Sequence, residues 1–118
     1  MVLIRYTNIR TGNDLLDESL ELYLMYGYEP GGFLTSVLAN DLFMAVNRAD
    51  HWNKSNLYHI VHQIQFKVPS HAYGSYEAVR DWCRDKDDRR SEYARYLEKQ
   101  FTMRSLKGEV REKNDYPF

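Results

Sequence analysis

Residues 28–50, YEPGGFLTSVLANDLFMAVNRAD, decide how this chain folds. Pro30, Gly31 and Gly32 form its strongest turn signal. From Phe33 to Ala49 apolar residues recur at helical spacing, which predicts one helix over that range. At about 100° per residue, Leu34, Leu38, Leu42, Ala45 and Ala49 fall within roughly 80° of arc. Val37, Met44 and Phe33 widen the face on one side, and Asp41 and Arg48 project between the two groups. A buried charge without a partner costs several kcal/mol or neutralises. The reading is therefore that Asp41 and Arg48 are both mostly buried and satisfied. They form either a polar network that fixes helix register or a binding site in which Arg48 anchors a carboxylate or phosphate. Gly31 and Gly32, ahead of the helix, offer a weak phosphate cradle of backbone amides. Neither GxxxxGK[ST] nor GxGxxG accompanies them.

Upstream, TGNDLLDESLELYLMYG reads as a first helix, capped by Asn13 or Asp14 and stopped by Gly27. Asp14, Asp17 and Glu18 suit its positive end, and Leu16, Leu20, Tyr23 and Leu24 form its apolar face. Before it, MVLIRYTNI is rich in β-branched and aromatic residues, which suggests a short strand or extended arm whose partner belongs to another subunit. Downstream, Asp50 caps a third helix carrying Leu57, Ile60, Val61, Ile64 and Val68, and Pro69 ends it. Ser75 caps YEAVRDWC, where Tyr76, Val79 and Trp82 with Cys83 share a core-like side. RDKDDRR is a break or an exposed continuation. SEYARYLEKQFTMRSL is the last long helix, with Tyr93, Leu97 and Phe101 at spacing four, Gly108 as its stop and residues 109–118 as a mobile tail. The expected fold is one all-α domain over residues 1–118, of four or five helices with an extended or β N-terminal arm over residues 1–10.

The 118 residues suffice for one domain with a modest core. Net charge is −1, so no global field draws the chain to nucleic acid or anionic lipid. Residues 1–82 carry 6 Lys and Arg against 9 Asp and Glu, and residues 83–118 carry 10 against 8, giving −3 and +2. A single cysteine, Cys83, excludes an internal disulfide and a cysteine-based zinc cluster, and fits a reducing compartment. Residues 1–10 lack a signal-peptide core, and no apolar run approaches a membrane span. These features predict a cytosolic protein.

Motifs for catalysis are weak. His59 and His62, at i and i+3, lack a clear third metal ligand. His71 lies in a loop with nothing arranged to activate it, and G-x-S-x-G is missing. The reading is a non-enzyme without catalytic residues, metal or cofactor. Ten tyrosines mark either core edges or contact surfaces. With the β-prone arm, they predict a homo-oligomer. Arg89, Arg90, Tyr93, Arg95 and Tyr96 gather types enriched in interface hot spots, and form a second candidate binding set.

The stretch YGYEPGGFLTSVLANDLFMAVNRADHWNKSNLYHIVHQI resembles a group of small tailed-bacteriophage proteins. The likeness rests on Pro30 to Leu34, Val37 to Leu42, Arg48 to Asp50, Asn53, Leu57 and Ile60. Tyr73-Gly74-Ser75 and Trp82 extend it. It covers about half the chain, from Tyr26 to Trp82, and carries no catalytic residues. It implies an accessory protein made in the host bacterial cytoplasm, where such proteins bind and inhibit host or anti-phage defence components. A small anionic nucleotide sequestered by an oligomer is the alternative partner, and nucleic acid ranks third.

Overall fold

The computed structural model describes residues 4–106, and over them every regular element is helical. The α-helices are α1 (Asp14–Tyr26), α2 (Gly32–Leu38), α3 (Leu42–Arg48), α4 (His51–Ser55), α5 (Leu57–Lys67), α6 (Tyr76–Cys83) and α7 (Arg89–Leu106), with 3-10 turns at Ser70–Ala72 and Lys86–Asp88. The all-α class holds. The first three residues of the arm, the Gly108 stop and the tail 109–118 lie outside the described residues.

The helix count exceeds four or five because two expected helices are split. Phe33 to Ala49 is not one helix. Asn40 adopts a left-handed conformation at φ 61°, which Asn tolerates better than most side chains, and Asp41 then caps α3 by accepting from the Met44 N–H at 3.3 Å. α2 and α3 therefore fold back on each other. Asn56 similarly separates α4 from α5. RDKDDRR is a break: Asp85, Asp87 and Asp88 all take positive φ, and the Asp85 carboxylate accepts from the Ser91 N–H at 3.0 Å and from its hydroxyl, capping α7. The caps expected at Asn13, Asp50 and Ser75 all form, and Gly27 closes α1 at φ 75°.

The core gathers Ile9, Leu20, Leu24, Leu34, Leu38, Ile60, Ile64, Val79 and Trp82 around Tyr23. The Tyr23 hydroxyl donates to the Ala72 carbonyl at 2.7 Å, and the Trp82 indole N–H donates to the Tyr23 carbonyl at 3.2 Å. A buried aromatic thus keeps its polar end satisfied.

The arm is extended, but residues 4–10 pair with no strand. Arg5, Thr7, Ile9 and Thr11 are buried in alternation, the period of extended chain. Helix side chains satisfy its backbone. Glu21 accepts from the Tyr6 N–H (2.9 Å), the Thr7 N–H (3.2 Å) and the Thr7 hydroxyl (2.6 Å). Asp17, one turn earlier, accepts from the Thr11 N–H (2.8 Å) and hydroxyl (2.7 Å). From α5, Gln63 accepts from the Arg10 N–H at 2.8 Å and Lys67 donates to the Asn8 carbonyl at 2.9 Å. The described part of the arm is thus held by its own chain, and the expectation of a strand partner in another subunit loses its basis.

Candidate functional site

The corner between α2 and α3 assembles four polar side chains. Arg48, at the end of α3, reaches back to donate to the Ser36 hydroxyl (2.9 Å) and the Gly32 carbonyl (3.2 Å). The Ser36 hydroxyl also donates to that carbonyl at 2.9 Å. From α6, the Tyr76 hydroxyl donates to Asp41 at 2.5 Å. That bond to a carboxylate is the main reason the Tyr76 hydroxyl is held above its ordinary pKa; Ser36 and the Arg48 charge oppose it. The fold brings Asp41 and Arg48 into one corner through separate partners.

The expected burial of this pair is corrected. Asp41 is half-buried and Arg48 is exposed. The break at Asn40 makes Asp41 a cap rather than a mid-helix residue, and Arg48 lies along the outside of α2. Gly31 and Gly32 are exposed as well. A Cβ on Gly32 would meet the Arg48 Cδ at 3.4 Å, so this glycine lets the arginine lie flat against the backbone.

Ser36 and Asp41 reach one end of a cavity of about 160 Å³, walled by Val37, Leu42, Ala45, Leu57 and Val61. Ligand pockets usually span about 300–1,000 Å³, so this one suits a single side chain or ring. A larger, more polar hollow of about 330 Å³ lies between the Ser70–Ala72 turn, α6 and the Lys86–Asp88 turn. It mixes His71, Glu77, Asp81, Asp87, Lys86 and Arg89, with Lys86 and Asp81 3.7 Å apart. Among the described residues no group of three His, Cys, Asp or Glu side chains is placed to hold a metal ion. No described helix is long and apolar enough to cross a membrane. Burial pushes the Cys83 thiol above its ordinary pKa, which disfavours the reactive thiolate.

The C-terminal set divides. Arg90 donates to the Trp82 carbonyl (3.1 Å) and the Cys83 carbonyl (3.4 Å), satisfying the end of α6. Tyr93 packs edge-on against Trp82 at 5.6 Å, and its burial raises its pKa strongly. Both hold the fold. Arg89, Arg95 and Tyr96 stay exposed. Lys99 and Met103, exposed and one or two turns further on, extend that surface.

Ser36 completes the corner without having been singled out in the sequence, and Tyr76 joins it from a place the sequence assigned to the core. The helical spacing of Tyr76 with Val79 and Trp82 assigned it to the core, yet it sits at the exposed start of α6. Comparison of the chain with family models, curated proteins and solved structures finds no match to any of them.

Proposed function

We propose that this chain is a non-enzymatic bacteriophage accessory protein that binds and inhibits a component of the bacterial host or its anti-phage defence, in the host cytoplasm. The resemblance of residues 26–82 supplies the setting. The observation that carries the binding mode is the outer row of α7, where exposed Tyr96 and Met103 lie among Arg89, Arg95 and Lys99. Aromatic and guanidinium groups free of structural duty suit a target that is partly apolar and partly acidic. Arg90 and Tyr93 leave the binding set, because their side chains are used within the fold.

Affinity capture from the bacterial host with the wild type and an Arg95→Ala/Tyr96→Ala variant tests this reading. The target should be identified by mass, and its affinity for the folded variant should fall more than tenfold, or about 1.4 kcal/mol. Full affinity in that variant removes α7 from the interface.

The nucleotide reading rests on the exposed Arg48 guanidinium beside the α2–α3 cavity. At about 160 Å³ that cavity is small for a nucleotide within one chain. Equilibrium dialysis of a cyclic dinucleotide against the wild type and Arg48→Ala separates the two readings.

A further inference from the structure

The outer sides of α3 and α5 carry apolar side chains that no described part of the chain covers. Phe43 is 87% exposed, Tyr58 85%, Phe66 69% and Leu42 60%, with Val46 and Val61 also exposed. Leu42 and Val61 wall the same cavity, so the two helices flank it. At about 100° per residue, Val46 and Phe43 turn outward from Leu42 on one rim, and Tyr58 turns outward from Val61 on the other. His62 stacks on Tyr58 at 6.2 Å, and Phe66 follows at 4.6 Å, one helical turn apart each time.

The two helices bring little charge to this face, and the Asp41 carboxylate at the cavity is already held by the Tyr76 hydroxyl. The only charged residue of α3 is its last, Arg48, and the only one of α5 is its last, Lys67. Both are drawn onto their own chain, Arg48 by Ser36 and Lys67 by the Asn8 carbonyl. Two such faces can therefore meet without opposing like charges.

Size and shape point the same way. Taking about 200 Å² for a fully exposed aromatic side chain, Phe43, Tyr58 and Phe66 alone offer roughly 480 Å², and Leu42, Val46 and Val61 add to it. The largest apolar patch on a typical monomer is about 300–600 Å², and a standard interface takes about 800 Å² from each partner. The face also carries both a projecting ring, Phe43, and a hollow of about 160 Å³. A cavity of about 150 Å³ accepts a benzene ring. A knob and a hole on one surface are what a twofold contact requires.

We propose that the α3/α5 face joins two copies of this chain in a twofold dimer, with Phe43 of each copy seated at the cavity of the other. The proposal is independent of the target-binding surface on α7.

Sedimentation equilibrium at tens of micromolar tests it, with circular dichroism as the check on folding. The wild type should show twice the mass of one 14.1 kDa chain. Phe43→Lys and Phe66→Lys should each stay folded and weaken self-association at least a hundredfold. Arg95→Ala/Tyr96→Ala should keep the dimer mass. A monomeric wild type, or an oligomer that both lysine variants leave intact, overturns the proposal. So does an assembly larger than two that they reduce directly to monomers, since a single contact type then makes a head-to-tail ring. If the wild type is monomeric and the lysine variants lose the captured host target instead, the face belongs to that target.

Discussion

Two regions of this protein set acidic side chains against donors from a distant segment, and they do so in opposite environments. Along the seam between the arm and α1, Glu21 is fully buried and accepts three hydrogen bonds, while Asp17 accepts two. At the α2–α3 corner, Asp41 also accepts two, from Met44 and Tyr76, but water reaches it. The seam fixes the path of a segment that has no secondary structure of its own. The corner fixes a turn between two short helices and leaves its arginine at the surface. The number of bonds is similar; what separates the two is how much an unpaired donor or acceptor costs once water is excluded.

Glu21→Ala tests that difference with the largest expected effect. It strands two backbone donors and a hydroxyl in a dry seam, so stability should fall by about 3–5 kcal/mol in chemical denaturation. The slope of the unfolding curve should also change if the arm frays in the native state. Asp41→Ala should cost less, about 1–2 kcal/mol, for the lost α3 cap and the released Tyr76 hydroxyl. Equal losses at the two sites would erase the contrast. A double-mutant cycle with Tyr76→Phe would then show how much of the Asp41 effect passes through that hydroxyl.

Much of the helical layout was legible because caps and apolar periodicity are local. Asn13, Gly27, Asp50 and Ser75 each act within a few residues of themselves, and Leu20, Tyr23, Leu24, Ile60 and Ile64 fall on the faces that spacing assigns them. The break at Asn40 was not legible from periodicity, because α3 resumes the same apolar stripe after the turn. Its signal was chemical instead: Asn followed by Asp pairs a residue tolerant of positive φ with a strong cap. The seam was hidden for another reason. Asp17 was read only as complementing the positive end of α1 and Glu21 was not singled out, and their partners lie 6 and 14–15 residues away in a segment without periodic structure. Nothing in the spacing of Phe43, Tyr58 and Phe66 distinguishes an uncovered apolar face from a covered one.

Alkaline pH supplies an intermediate effect inside the core, away from both regions. Burial raises the pKa of Tyr23, and likewise that of Tyr93. The folded protein keeps both phenols neutral at a pH where the unfolded chain ionises them. Their contribution is therefore complete below about pH 10 and is lost as pH rises beyond it. The urea midpoint should drop steeply above that pH, and Tyr93→Phe should make the drop shallower. An unchanged drop in that variant would place the alkaline sensitivity elsewhere.

The smallest effect is expected at Arg48, and it is best judged against Arg90. Both arginines donate twice, and both satisfy groups on a neighbouring helix. Arg90 is half-buried at the end of α6, beside Gly27, where a Cβ would already meet its guanidinium at 2.8 Å. Its removal leaves the Cys83 carbonyl short of its donor in a tight space, while the Trp82 carbonyl keeps the Asp85 N–H at 3.1 Å, so Arg90→Ala should cost about 1–3 kcal/mol. Arg48 is exposed, and after Arg48→Ala water can reach the Gly32 carbonyl while the Ser36 hydroxyl keeps its own bond to it. The loss should stay under about 1 kcal/mol. Thermal and urea unfolding of the two variants side by side decide the matter. A loss at Arg48 as large as that at Arg90 would mean that the corner is a structural core after all. A small loss joined to a vanished binding activity would make Arg48 a residue kept for a ligand.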